Sequence, residues 1–250
     1  MADIFSSAKS VWRRANHHIA DLEAAIKATA PSKPYTYAPE FDSQTGQYLH
    51  TLTFSESFSD DVSCILFDAI NNLRAALDQM TFAVVEKYRG GKKVAHFPFA
   101  KDVTYWPDKI KGLKNDLPTQ IIAVFESFKP YKGGCNPLWA INELANTQKH
   151  AILVPVGFGQ ARITYHEPNM PEITYAPPAI GSKAKIVFYR STEPFNRHPN
   201  IEITYNIVIE HSEPILQSQP PVGLLNTMSG IVQSILMGTE AECHRIGLLP

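Results

Sequence analysis

Between Val62 and Val84 apolar residues recur at intervals of three and four, through Ile65/Leu66, Ala69/Ile70, Leu73, Leu77 and Met80. A stripe this regular buries one face of a helix of about six turns, and it needs other helices to pack against. The sequence supplies them. From Ile4 to Ala28 the same spacing runs through Ala8, Val11/Trp12, Ala15, Ile19, Leu22 and Ala25/Ile26, and from Val222 to Met237 it returns through Leu224/Leu225, Met228, Ile231/Val232 and Ile235/Leu236. Ser57 to Asp61 offers caps and negative charge ahead of the long helix, and Gly90-Gly91 stops it. Shorter helices are expected over Thr104 to Lys114 with Pro107 in the first turn, from Leu117-Pro118 to about Phe128, and from Asn136-Pro137, with Asn136 as cap, to His150.

Two regions read differently. Tyr35 to Phe41 and Gln47 to Phe54 flank the turn-rich Asp42-Ser43-Gln44-Thr45-Gly46, which predicts a β-hairpin. Ala151 to Thr164, Glu172 to Ala176, Ala184 to Tyr189 and Ile201 to Ile209 are rich in β-branched and aromatic residues between Pro and Gly clusters, as strands are. Ile201 to Ile207 alternates as a strand with one face in water should. Because a helix follows these strands, the expected fold is α+β: a helical bundle core with an N-terminal hairpin and an antiparallel sheet inserted before the last helix. It is read as one composite domain, with 1–150 mainly helical, 151–212 mainly β and 221–240 returning to the bundle.

Composition narrows the function classes. A net charge of -1 provides no global field to draw the chain onto polyanions, and no local basic patch stands out. Cys64, Cys135 and Cys243 show no paired spacing for zinc or redox work, and read as free thiols of a reducing cytoplasm, with Cys64 a small buried hydrophobe on the apolar side of its helix. Arg13 and Arg14 follow an amphipathic stretch, the reverse of a secretory signal's order. The longest nearly apolar run, Ala151 to Gly159, is about half of what a spanning helix needs, so no membrane span is expected. Gly157-Phe158-Gly159 lacks the third glycine of a dinucleotide loop and reads as a turn. With no lysine phosphate loop, nucleophile elbow or paired-histidine helix, neither cofactor nor metal is expected, and His18 reads as a boundary histidine.

One polar constellation stands out. Asn71, Arg74 and Asp78 fall at i, i+3 and i+7 on the long helix with Asn72 beside them, and Glu143, Asn146 and His150 repeat that spacing on a second helix with Lys149 alongside. If the two helices pack, these groups share one cleft. They are then either a polar network fixing helix register or an anion site in which Arg74 stabilises charge and His150 moves a proton. Tyr165, Tyr175, Tyr189 and Tyr205 are candidates for a stacking platform or for cross-strand packing.

The segments Asn72-Leu73-Arg74-Ala75-Ala76-Leu77-Asp78, Phe97-Pro98-Phe99 and Leu144-Ala145-Asn146-Thr147-Gln148-Lys149-His150 together resemble a family of uncharacterised bacterial proteins. The likeness runs from about Ile19 to Leu153. In that family an arginine, four residues and a histidine on the second helix are similar to the signature of HEPN-type helical ribonucleases. Gln79 stands here in the histidine place, Asn71 where the family often has histidine, and Gln148 where it has aspartate. A glutamine amide exchanges no proton near neutral pH, so His150 has to take that role if the chain cleaves RNA.

Two readings follow. The first is a non-enzymatic binding or scaffolding protein whose partner is another protein or a second copy of itself. The second is a metal-independent, HEPN-like ribonuclease or phosphodiesterase with Arg74, Asn146 and His150 as its catalytic group, Asn71, Asn72, Asp78, Glu143 and Lys149 around it, and RNA as substrate.

Overall fold

Helix α1 (Ser6–Thr29) starts where Asp3 folds back on the chain, its Oδ1 accepting from the Phe5 amide at 2.8 Å and its carbonyl from Ser6 at 3.1 Å. The computed structural model describes residues 3–29, 35–54, 60–91, 94–150, 156–166, 173–175, 185–193, 200–209, 211–217 and 219–250. Within these the side chains of 29, 147–150, 157–163, 165–166, 173–175 and 200–206 are not described. The fold is α+β, with six helices and two antiparallel three-stranded sheets among the described residues. Contacts gather the chain into two compact units, each assembled from separate stretches: Met1–Ala24, Cys64–Val154 and Val222–Pro250 form one, and Ala25–Ser63 and Pro155–Pro221 the other.

The first unit is helical. Its spine is α2 (Asp60–Arg89), whose Leu66, Ile70, Leu73, Leu77, Met80 and Val84 are completely buried, as the periodicity predicts. Each such side chain contributes roughly 1.5–3 kcal/mol over an exposed one. Gly90 takes a left-handed φ of 70° to end the helix, its amide bonded to the Glu86 carbonyl at 3.0 Å. Cys64 departs from expectation. It is exposed, because it lies two residues from buried Val62 and therefore about 200° around the helix.

Short elements follow α2. Strand β3 (Ala100–Asp102) leads through a 3-10 turn to α3 (Trp106–Leu113), and α4 (Thr119–Ser127) leads to β4 (Tyr131–Lys132), which pairs in parallel with β3. The loop into α5 (Asn136–His150) is tight. A Cβ on Gly134 would lie 2.6 Å from the Lys129 carbonyl oxygen, so only glycine fits. Asn136 is not the cap expected of it. The Cys135 carbonyl accepts the first helical bond, from Trp139 at 2.9 Å, and the Asn136 side chain turns back to accept from the Gly133 amide at 2.9 Å.

The last helix, α6 (Pro221–Arg245), runs two turns beyond its apolar pattern. Gly238 interrupts that pattern, but Thr239 and Cys243, one turn apart, are fully buried, and Glu240 reaches Lys9 of α1 at 2.7 Å. Packing thereby offsets the roughly 1 kcal/mol a mid-helix glycine costs. Nearer its start, Ser229 accepts from the Trp12 indole at 2.9 Å and donates to Asn16 Oδ1 at 2.8 Å, which fixes the register of α6 on α1.

The second unit is built of strands. β1 (Tyr35–Asp42) and β2 (Gln47–Phe54) form the expected hairpin, turned by Asp42, which accepts from the Gln44 amide and the Thr45 hydroxyl. These hydrogen bonds hold its carboxyl below the ordinary carboxylate range. β5 (Val156–His166), β6 (Ile173–Tyr175) and β8 (Asn200–Ile209) form one sheet in the order β6-β5-β8. β7 (Lys185–Ser191) leaves its neighbours in sequence and pairs instead with β2, giving a sheet in the order β1-β2-β7.

Two expectations change here. Gly157-Phe158-Gly159 is no turn. It lies within β5, where the pairing with β8 slips by one residue between Phe158 and Ala161, and an irregularity of this kind is where a strand glycine serves. The four tyrosines do not share a platform either, because Tyr189 belongs to the β1-β2-β7 sheet and Tyr165, Tyr175 and Tyr205 to the other.

Candidate functional site

The two helices that carry the polar constellation meet. Arg74 on α2 donates Nη1 to Asn146 Oδ1 on α5 at 2.6 Å, a charge-assisted bond. One turn further along α2, Asp78 Oδ2 lies 4.0 Å from Arg74 Nε and 3.3 Å from Nδ1 of exposed His96, and Asp78 Oδ1 accepts from the Phe97 amide at 2.9 Å. Arg74 and Asp78 are half-buried, at 21% and 24% side-chain exposure. The network therefore rims the helical core and stays open to solvent on one side. Asp78 is its centre, since it accepts from a backbone amide, faces an imidazole and a guanidinium, and fixes the Phe97-Pro98-Phe99 segment to α2. That segment is itself anchored: the Phe97 ring packs at a tilt against Phe125 and edge-on against Phe99, with ring centroids 4.9 and 5.0 Å away.

The other expected members are placed differently. Asn71 and Asn72 bond back to the Phe67 and Asp68 carbonyls of their own helix, at 3.0 and 2.7 Å. Glu143 is half-buried on α5 and keeps an interaction of its own. α5 runs on through Lys149 to His150, but the side chains of these two lie outside the described residues. Gln79, in the position where the resemblance puts a histidine, accepts from the Ser7 hydroxyl of α1 at 2.7 Å. His18 is half-buried with Nδ1 3.8 Å from Asp21, a boundary histidine as read from sequence.

A second network, in the strand unit, was not anticipated. His50 on β2 is completely buried, its Nδ1 2.7 Å from the Tyr37 hydroxyl and its Nε2 2.7 Å from Ser191 Oγ. Ser191 in turn donates to the Glu193 carbonyl. Only one proton order satisfies every group. Ser191 spends its hydrogen on the carbonyl and so accepts from Nε2–H, leaving Nδ1 to accept from Tyr37. Burial lowers the pKa of His50 and raises that of Tyr37, and both effects favour this neutral arrangement. A serine, a histidine and an orienting hydroxyl resemble a nucleophile and its base, yet the tautomer is wrong for that work: Nε2 already carries the proton it would have to remove.

A slip in the ladder makes this cluster possible. His50 pairs with Tyr189 but Thr51 pairs with Val187, so Phe188 is an extra residue. Both Phe188 and Tyr189 thereby come against the imidazole, with centroids 6.4 and 5.5 Å away. The sequence held a signal for this site, since His50 has the parity of Leu52 and Phe54, which are 0% and 1% exposed. His96 carried a weaker signal, its position beside the Phe-Pro-Phe segment.

Among the described residues no three or more His, Cys, Asp or Glu side chains are grouped to hold a metal, and no helix is long and apolar enough to cross a membrane. Comparison of the chain with protein-family models, with curated proteins and with solved structures finds no match.

Proposed function

We infer that this chain is an intracellular, non-enzymatic binding or scaffolding protein in which Arg74, Asp78 and Asn146 hold helix geometry. The observation that carries this reading is that most of the described polar side chains of the constellation already have partners within the protein. Asp78 Oδ1 is held by the Phe97 amide while Oδ2 faces His96 and Arg74, Arg74 is bridged to Asn146, and Asn71, Asn72 and Gln79 are each bonded elsewhere. A catalytic cleft keeps donors and acceptors in hand for a substrate. The expected result is that the purified protein leaves single-stranded RNA intact, and that Asp78→Ala lowers the melting temperature.

One observation favours the second reading, a HEPN-like ribonuclease. The bond from Arg74 to Asn146 ties the arginine to the helix that ends at His150. Cleavage by the parent protein, lost in both Arg74→Ala and His150→Ala at unchanged melting temperature, would replace the scaffold reading with the enzymatic one.

A further inference from the structure

Charge is unevenly distributed along the chain. Ten of the 23 lysines and arginines lie between Lys87 and Lys132, against four of the 24 acidic residues, inside a chain whose net charge is -1. The fold gathers part of this excess at one place. Arg89, in the last turn of α2, donates Nη1 to the Asn115 carbonyl at 2.8 Å, which brings that helix end against the turn following α3. Lys87 and Arg89 from one helix and Lys111 and Lys114 from the other therefore stand at the same end of the helical unit, all exposed.

The acidic residues nearby are mostly occupied. Asp116 is buried beside Arg89, Asp102 caps the 3-10 turn ahead of α3, and Glu126 accepts from the Trp106 indole at 3.2 Å. Lys87, Lys111 and Lys114 have no carboxylate partner among the described residues. Lysines at helix C-termini complement the helix dipole, and that alone accounts for one or two of them. It does not account for Tyr88. This residue continues the apolar stripe one turn past Val84, yet it is 49% exposed between Lys87 and Arg89.

We propose that this end of the helical unit binds single-stranded nucleic acid, with Lys87, Arg89, Lys111 and Lys114 on the phosphates and Tyr88 stacked on an unpaired base. The proposal rests on the reading of the chain as a binding protein and gives its partner a chemical class. A single strand suits the surface better than a duplex, because a duplex hides the base faces on which an exposed tyrosine ring can stack. Phosphate contacts from four cations make the affinity fall with salt at a log–log slope of about -3.

The test uses the full chain and a fluorescein-labelled oligouridylate of about 20 nucleotides, followed by anisotropy from about 50 to 200 mM salt, with the RNA checked on a gel. Binding should weaken about fiftyfold over that range. The double variant Lys111→Glu/Lys114→Glu and the single variant Tyr88→Ala should each weaken it about tenfold with melting unchanged, whereas Arg13→Glu on α1 should not. Absence of salt-dependent binding, indifference to these variants, or binding to phosphatidylserine vesicles in place of RNA would each overturn the proposal and leave the binding-protein reading standing. Cleavage of the RNA in an Arg74-dependent manner would instead overturn that reading.

Discussion

The helical unit keeps its polar network at the rim of its core, and the strand unit keeps one inside. Arg74 and Asp78 retain about a fifth to a quarter of their side-chain surface, while His50 retains none. The difference decides what each network can do. Water can replace a lost partner at the rim, so the charges there stabilise modestly and can be borrowed by a ligand. The imidazole of His50 is sealed from water, so losing Tyr37 or Ser191 leaves one of its ring nitrogens unsatisfied. A buried polar chain thus specifies one strand register, and a rim network adjusts helices already held by apolar packing.

This contrast can be broken by experiment, and the units can be read separately because Trp12, Trp106 and Trp139 all belong to the helical one. The largest effect is expected from Leu77→Ala, which opens a cavity in that core and should cost about 3–4 kcal/mol in urea unfolding followed by tryptophan fluorescence. His50→Ala should cost about 3 kcal/mol, seen as faster hydrogen exchange in β2 and β7 with the tryptophan transition little moved. Asp78→Ala deprives the Phe97 amide of its acceptor and should cost about 1–2 kcal/mol on the tryptophan signal. Arg74→Ala should cost less than about 1 kcal/mol. If Arg74→Ala proves as damaging as His50→Ala, the distinction between rim and interior is wrong.

Acid sharpens the comparison. The imidazole of His50 has a pKa below its ordinary 6.5 because it is buried, so on acidification the unfolded chain takes up the proton first. The stability contributed by keeping His50 neutral is fully present above about 6.5 and declines as pH falls towards and through the lower, folded-state value. Of the described groups that meet the ring, Tyr37, Tyr189 and Ser191 are uncharged, and Glu193 reaches Ser191 through its backbone carbonyl. Exchange protection of β2 should therefore drop below about pH 6 in the parent and lose that dependence in His50→Gln. At the other end of the scale, burial pushes the Cys243 thiol up to about 11, so a thiol reagent at neutral pH should label exposed Cys64 promptly and Cys243 only as the helical unit opens.

What was legible in the sequence was local. The helical period placed α1 and α2 within a residue or two, and the Asp42 to Gly46 turn gave the hairpin, because each signal lies within one element. The end of α6 was missed, since its last two turns are held by Thr239, Glu240 and Cys243 through contacts made elsewhere in the chain. Pairing of β7 with β2 joins strands more than 130 residues apart, and no periodicity encodes it. The candidate site divides in the same way. Helical spacing put Arg74, Asp78 and Asn146 in reach of one another, but the role of Asp78 depends on a backbone amide 19 residues away, which no side-chain pattern reveals. The basic segment was hidden by averaging, because acidic residues elsewhere bring the total charge near zero.

The clasp between the first and last helices bears on how the protein is made. Lys9 and Glu240 are 231 residues apart, and Trp12 and Ser229 are separated by 217. Closing loops of that length is entropically slow, and during synthesis α1 emerges from the ribosome long before α6 exists to cover it. The apolar stripe of α1 must therefore wait in company other than its final one, and a chaperone that shields amphipathic helices should raise the yield of this chain more than its modest size suggests.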